Sequence, residues 1–183
     1  MKNILKNIGL IFISVLLLTA CESTPSLQKY IVDGKENSDF IAIDLPSNIL
    51  QLKETGISED AKKTLETIKK VNVLALQLND TNEELYKTEK LKVKEILKNP
   101  KYKQLARFNM GKSAVNVSYL GTEDAVDEVV VFGSDNKKGF ALVRVLGNNM
   151  NPSQIMEMAQ HLKLNGGSQQ MSQLEGIFKS ISK

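Results

Sequence analysis

The stretch from Asp127 to Gly147, DEVVVFGSDNKKGFALVRVLG, decides how the rest of the chain is read. Val129 to Phe132 is an unbroken apolar run, as expected of a strand buried on both faces. Gly133 to Gly139 (GSDNKKG) is dense in turn formers, and Phe140 to Leu146 returns as a second apolar run. So short a loop makes the two strands antiparallel neighbours, a hairpin at the centre of a sheet. Neither strand has a polar face, so helices on one side alone would leave the other face wet. Either the first or the last helix covers that face, or it is a binding surface.

Upstream, Ser113 to Gly121 alternates Val115, Val117 and Tyr119 and adds a third strand to the meander. Pro100 to Phe108 (PKYKQLARF) reads as a short helical piece. Residues 82 to 98 form a helix, with Glu83 and Glu84 in its first turn and Lys98-Asn99-Pro100 as its stop. Its inner face holds Val93, Ile96 and Leu97, and Leu91 falls outside it. Val71 to Leu78 is a buried strand. Ser58 is a candidate N-cap for a helix carrying Leu65 and Ile68 on its apolar stripe and lysines at its end. Ile41, Ile43 and Leu45 mark a strand closed by Pro46, and Pro46 to Leu52 suggests a turn of helix. Ser26 caps a first helix that stops at Asp33-Gly34.

Downstream, Ile155, Met158, Ala159 and Leu162 lie at helical spacing, Asn165 to Gln170 (NGGSQQ) reads as a linker, and Leu174, Ile177, Phe178 and Ile181 form a terminal amphipathic stripe. The expected architecture is α+β: a largely antiparallel sheet of about five strands with helices packed on it, a ferredoxin-like arrangement being one option. The expected division is a signal at 1–20, a tether at 21–25, a single domain at 26–164, and a linker with an amphipathic helix at 165–183.

The N-terminus speaks of location. Lys2 and Lys6 precede an uncharged stretch, Ile8 to Leu18, that is too short to span about 30 Å of hydrocarbon as a helix. Leu18-Thr19-Ala20-Cys21 follows and looks like the lipobox of bacterial lipoproteins, where a thiol takes up a diacylglyceryl group. Cys21 is thus the expected lipid attachment residue, and as the only cysteine it has no disulfide partner within the chain. The five residues after it reach at most about 18 Å, which holds the domain near its membrane. Glu22 in place of aspartate points to the outer membrane, with the domain facing the periplasm. Loss of the first twenty residues, with two lysines and no acid, lowers the net charge from +3 to about +1. Export and this near-neutral balance make nucleic acid an improbable partner.

No catalytic or metal constellation emerges. Gly111-Lys112-Ser113 ends like a phosphate-binding loop, but Ala106 stands where the first glycine belongs and a strand follows. Glu123, Asp124, Asp127 and Glu128 lack the alternation and glycine turn of a calcium loop. His161 is the only histidine; with Met150, Met156 and Met158 it could hold a soft ion, but core filling explains the methionines better. The run from Tyr86 to Lys112 carries nine basic residues (Lys87, Lys90, Lys92, Lys94, Lys98, Lys101, Lys103, Arg107 and Lys112) against Glu89 and Glu95. It is a solvated face or a surface for an acidic envelope protein or polymer. No catalytic residue, cofactor-binding residue or metal ligand is assigned, and no cofactor is expected.

SDFIAIDLP, IKKVNVLAL, VKEILKNPKYKQLARF, the central hairpin and NMNPSQIMEMAQ together resemble an uncharacterised lipoprotein family of Bacteroidota, known as a domain of unknown function. The resemblance implies an envelope lipoprotein with no assigned activity or cofactor, and it carries over only Cys21. The expected role is a lipid-anchored, non-enzymatic binding or regulatory module. A hydrolase-like enzyme without a recognisable motif and a soft-metal-binding lipoprotein are the alternatives.

Overall fold

The computed structural model describes residues 26–46, 50–52, 58–151, 153–155 and 162–164. In chain order these form α1 (Leu27–Lys35), β1 (Ile41–Pro46), β2 (Leu50–Leu52), α2 (Glu59–Thr67), β3 (Ile68–Gln77), α3 (Glu83–Leu97), β4 (Lys103–Met110), β5 (Ser113–Gly121), β6 (Val126–Asp135), β7 (Gly139–Met150) and β8 (Leu162–Leu164). Six strands make one sheet in the order β1-β3-β7-β6-β5-β4, and β2 pairs with β8 in a separate ladder. Every neighbouring pair is antiparallel. This is an α+β fold, within which a ferredoxin-like arrangement is only a possibility.

The central hairpin lies where its composition puts it, with β6 and β7 inside the sheet. The alternation along each strand then sorts residues into rows that cross the sheet. One face carries Ile43, Val73, Val143, Val131, Val117 and Ala106 in register, and beside that row Ile41, Ala75, Ala141, Gly133, Val115 and Phe108. α2 packs on this face through Leu65. α1 and α3 pack on the other face, closing a second core of Leu27, Ile31, Tyr86, Val93 and Ile96 against Leu76, Val130, Phe132, Phe140 and Leu142. Helices therefore sit on both sides of the strands, and the first helix lies on the same side as α3. The C-terminal stripe from Leu174 to Ile181 lies outside the described residues.

α1 starts where Ser26 predicts, its hydroxyl accepting a hydrogen bond from the Lys29 amide at 3.0 Å. α3 buries Val93 and Ile96, half-buries Leu97 and leaves Leu91 65% exposed, as its periodicity requires.

Four expectations are corrected. Residues 103–110 form an edge strand, not a helical piece, which brings the sheet to six strands. A bulge at Leu105 breaks the two-residue period between Gln104 and Ala106, so Tyr102, Leu105 and Phe108 recur every three residues and imitate a helix. α2 ends at Thr67, and Ile68 opens β3 opposite Gly147, so Lys69 and Lys70 belong to a strand. Leu50–Leu52 is a strand and not a helical turn, because it pairs with Leu162–Leu164. For the same reason Leu162 leaves the helical stripe, of which Ile155 is described as helical and buried.

Across the face that α1 and α3 cover runs a polar row: Asp44, Asn72 and Arg144 lie in register on β1, β3 and β7. Asp44 accepts hydrogen bonds from Asn72 (2.5 Å) and Lys35 (2.6 Å) and forms an ion pair with Lys70 at 2.9 Å. Burial opposes its ionisation, but hydrogen bonds from Lys35, Lys70 and Asn72 and the Lys35 charge outweigh that and hold the carboxyl at about 2. A depressed carboxyl pKa contributes stability that is complete above the ordinary value of 3.8 and is lost as pH falls through about 2. Urea unfolding of the parent chain and Asp44→Asn should therefore differ at pH 6 and converge between 3.8 and 2. A gap that holds constant across that window would contradict this assignment.

Candidate functional site: the groove between α3 and the β6–β7 hairpin

The hairpin tip is fixed by its own sequence. Asp135 accepts from the Lys137 and Lys138 amides at 2.8 and 3.1 Å and from the Ser113 hydroxyl at 2.5 Å. Burial opposes ionisation of Asp135, but these bonds and the Lys138 charge bring its pKa below the ordinary value. The Leu78 amide donates to the Lys138 carbonyl at 3.0 Å, tying the tip to the end of β3. The loop into α3 is equally determined. Asn79 accepts from the Thr81 amide and hydroxyl at 2.9 and 2.7 Å, while Asn82 accepts from the Asn79 amide and donates to the Gln77 carbonyl, both at 2.9 Å.

Between these two rigid pieces runs an open groove of about 750 Å³, floored by Leu78 and Tyr86 and walled by Lys90, Lys94, Asn136 and Lys137. Lys90 spans it. Its ammonium donates to the Tyr86 hydroxyl and to Asn136 Oδ1, both at 2.9 Å, and stands 5.1 Å from the centroid of the Tyr86 ring. The Tyr86 hydroxyl in turn donates to the Asp135 carbonyl at 3.0 Å. Burial lowers the Lys90 pKa despite the Asp135 charge, and burial followed by that charge pushes the Tyr86 phenol up to about 12. Four lysines and two carboxylates, Asp80 and Glu83, line the groove. Such a surface can take an anionic group at the lysines and an apolar part against Leu78 and Leu91.

The structure divides the basic run. Lys87, Lys92 and Lys98 are paired within α3 with Glu83 and Glu84, Glu89, and Glu95 at 2.7 to 3.0 Å. Lys90 and Lys94, one turn apart, come together with Lys137 at the groove, and none of the three has a carboxylate within ion-pair distance among the described residues. Lys101, Lys103, Arg107 and Lys112 lie instead on and around the edge strand. Lys112 sits in the β4–β5 turn behind Gly111, whose φ is +62°, so Gly111-Lys112-Ser113 is a turn entering a strand.

The acid cluster also separates. Glu123, Asp124 and Asp127 are exposed, but Glu128 is buried and pairs with Arg144 at 2.6 Å. Tyr102 donates to Glu128 at 3.2 Å, and Arg144 donates to the side-chain amide oxygen of Gln28 on α1. This buried pair escaped the sequence reading. Its one signal is a single base, Arg144, inside an apolar strand, and only the strand pairing brings Glu128 beside it. Among the described residues no three His, Cys, Asp or Glu side chains come together as a metal site. Met150 is fully buried, while Met156, Met158 and His161 lie outside the described residues, as does Cys21.

Fold and groove define an α+β domain with an open, basic, rigidly framed surface. The chain belongs to the DUF4252 family, a domain of unknown function, which it matches over residues 30–158 and so over the whole groove. No curated protein and no solved structure matches it.

Proposed function

We propose that the chain is a lipid-anchored protein of the cell envelope whose domain is a non-enzymatic binding module, with the α3–hairpin groove as the surface offered to an acidic envelope partner. The observation that carries the binding role is the convergence of Lys90, Lys94 and Lys137, without carboxylate partners among the described residues, on a groove framed by Asp135 and Asn136. Burial lowers the Lys90 pKa despite the Asp135 charge, so an incoming anion would favour its charged form. The anchoring role is supported by Leu18-Thr19-Ala20-Cys21 after a charged start and an apolar stretch. The family resemblance supports a bacterial envelope lipoprotein of the Bacteroidota, held by Cys21 in the outer membrane and facing the periplasm.

Two experiments separate the claims. Palmitate labelling should mark the parent chain and be lost in Cys21→Ser; an unlabelled parent removes the anchor. Envelope material retained by the purified chain should fall by about tenfold or more in Lys90→Glu/Lys94→Glu/Lys137→Glu. Equal retention by the parent and this variant removes the groove.

A further inference from the structure

The outer strand β4 carries features that the groove does not use. Its inner edge pairs with β5, and among the described residues no strand is hydrogen-bonded to its outer edge. A bare row of amides and carbonyls is a template for another strand, and natural edges are guarded by shortness, proline, bulges or lysines. β4 has a bulge at Leu105 and a basic guard, which repels a like strand but not an acidic one. The opposite edge, β1, has six residues and ends at Pro46, whereas β4 has eight and no proline. Four large apolar side chains are exposed among the described residues, and two of them, Leu105 (36%) and Phe108 (48%), lie on β4. Phe108 also ends the apolar row that begins at Ile41, so the row reaches the sheet edge and stops there uncovered.

The same edge is positively charged. Lys101, Lys103, Arg107 and Lys112 have no carboxylate within ion-pair distance among the described residues. Lys101 and Lys103 lie over the rings of Tyr102 and Tyr119, at 5.1 and 5.8 Å from their centroids, which holds both ammonium groups close to the sheet. Arg107 stands opposite Asn116 on the face that carries α1 and α3, and Phe108 opposite Val115 on the face that carries α2.

We propose that β4 is a docking edge that accepts an extended acidic segment of a partner protein as a seventh strand. Main-chain bonds to the free edge supply affinity, and alternate side chains supply selectivity. Acidic side chains on one face of the incoming strand meet Arg107, and apolar side chains on the other cover Phe108. A second copy of β4 is the wrong occupant, because pairing it with itself doubles the positive charge along one seam. This inference concerns the outer edge of β4, whereas the groove lies between α3 and the β6–β7 hairpin.

The test uses the full chain in detergent micelles and a fluorescein-labelled octapeptide of alternating glutamate and valine, read by fluorescence anisotropy. The octapeptide should bind, and its analogue N-methylated at alternate residues, with equal charge but fewer backbone donors, should bind about tenfold or more weakly. Arg107→Glu and Phe108→Asp, each checked for folding by circular dichroism, should weaken binding by about tenfold or more, whereas Lys94→Glu should change it by less than about twofold. Four results overturn the proposal: no binding of the octapeptide, equal binding of the methylated analogue, indifference to Arg107→Glu, or a dimer in sedimentation that Phe108→Asp dissolves. Binding lost in the groove triple variant but kept in Arg107→Glu would sink the edge and leave the groove standing.

Discussion

Replacing Glu128 with alanine is expected to lower the unfolding free energy by about 3–5 kcal/mol, the usual cost of leaving one buried partner of an ion pair without the other. Glu128 and Arg144 are buried beneath α1, and their 2.6 Å contact is reinforced by Tyr102 on one oxygen of Glu128 and by Gln28 on the guanidinium. Among the described residues the guanidinium without Glu128 keeps only Gln28, and its Nε already lacks a hydrogen-bond partner. Tyr102 would lose an acceptor as well. Burial, then the charge and hydrogen bond of Glu128, raises the Tyr102 pKa above the ordinary phenol range. Removing both charges is a different matter: two apolar side chains of similar volume carry no desolvation penalty. Glu128→Leu/Arg144→Met should therefore lose less stability than either single replacement. Urea unfolding of Glu128→Ala, of the double variant and of its two single replacements decides the point. A Glu128→Ala chain within about 1 kcal/mol of the parent would mean that the pair is solvated and contributes as little as a surface ion pair.

The second large effect is expected at Gly139, the first residue of β7. Its φ is +118°, a conformation that side chains rarely adopt, and a Cβ built there would lie 2.0 Å from the Leu76 carbonyl oxygen and 2.8 Å from the Leu78 amide nitrogen. Those atoms are backbone of the adjacent strand β3, so no rotamer change relieves the contact. Gly139→Ala should cost about 3 kcal/mol or more, since strain in φ and a backbone displacement act together. It should also disturb the groove, because the strand that would move includes the bond from Leu78 to Lys138. Gly111 is the control. Its φ of +62° carries the left-handed penalty, but a Cβ there has nothing within 4 Å. Gly111→Ala should cost only about 1–2 kcal/mol. Equal losses at the two sites in denaturant unfolding would show that φ strain alone is at work and that β3 yields to the new methyl group.

How far these sites were readable depends on whether the signal is local. α3 was legible because a helix reports its buried face every three to four residues, and Val93, Ile96 and Leu97 do so. β4 was misread because one bulged residue, Leu105, shifts the phase of a two-residue period. The groove was half legible. Lys90 and Lys94 stood out as part of a basic run, but Lys137 joins them from 43 residues further on, by way of a hairpin whose position beside α3 no local pattern contains. The pairing of Glu128 with Arg144 was not legible at all, since Glu128 stood among the acids of a polar cluster and Arg144 lies 16 residues away on the next strand.

The amino-acid sequence by itself determined the central hairpin, the antiparallel α+β class, the ends of α1 and α3, and the pattern at Cys21 on which the anchor proposal rests. These follow from short-range physics: turn residues, caps, periodicity and the local order of charge and apolarity. Only the tertiary structure decided that Glu128 is an interior charge, that Asp135 frames a groove beside Lys90, and that β4 is the outermost strand of the sheet among the described residues. Those properties depend on which strand lies beside which, and that order comes from burying both faces of the sheet at once, a constraint that no single stretch of the chain carries.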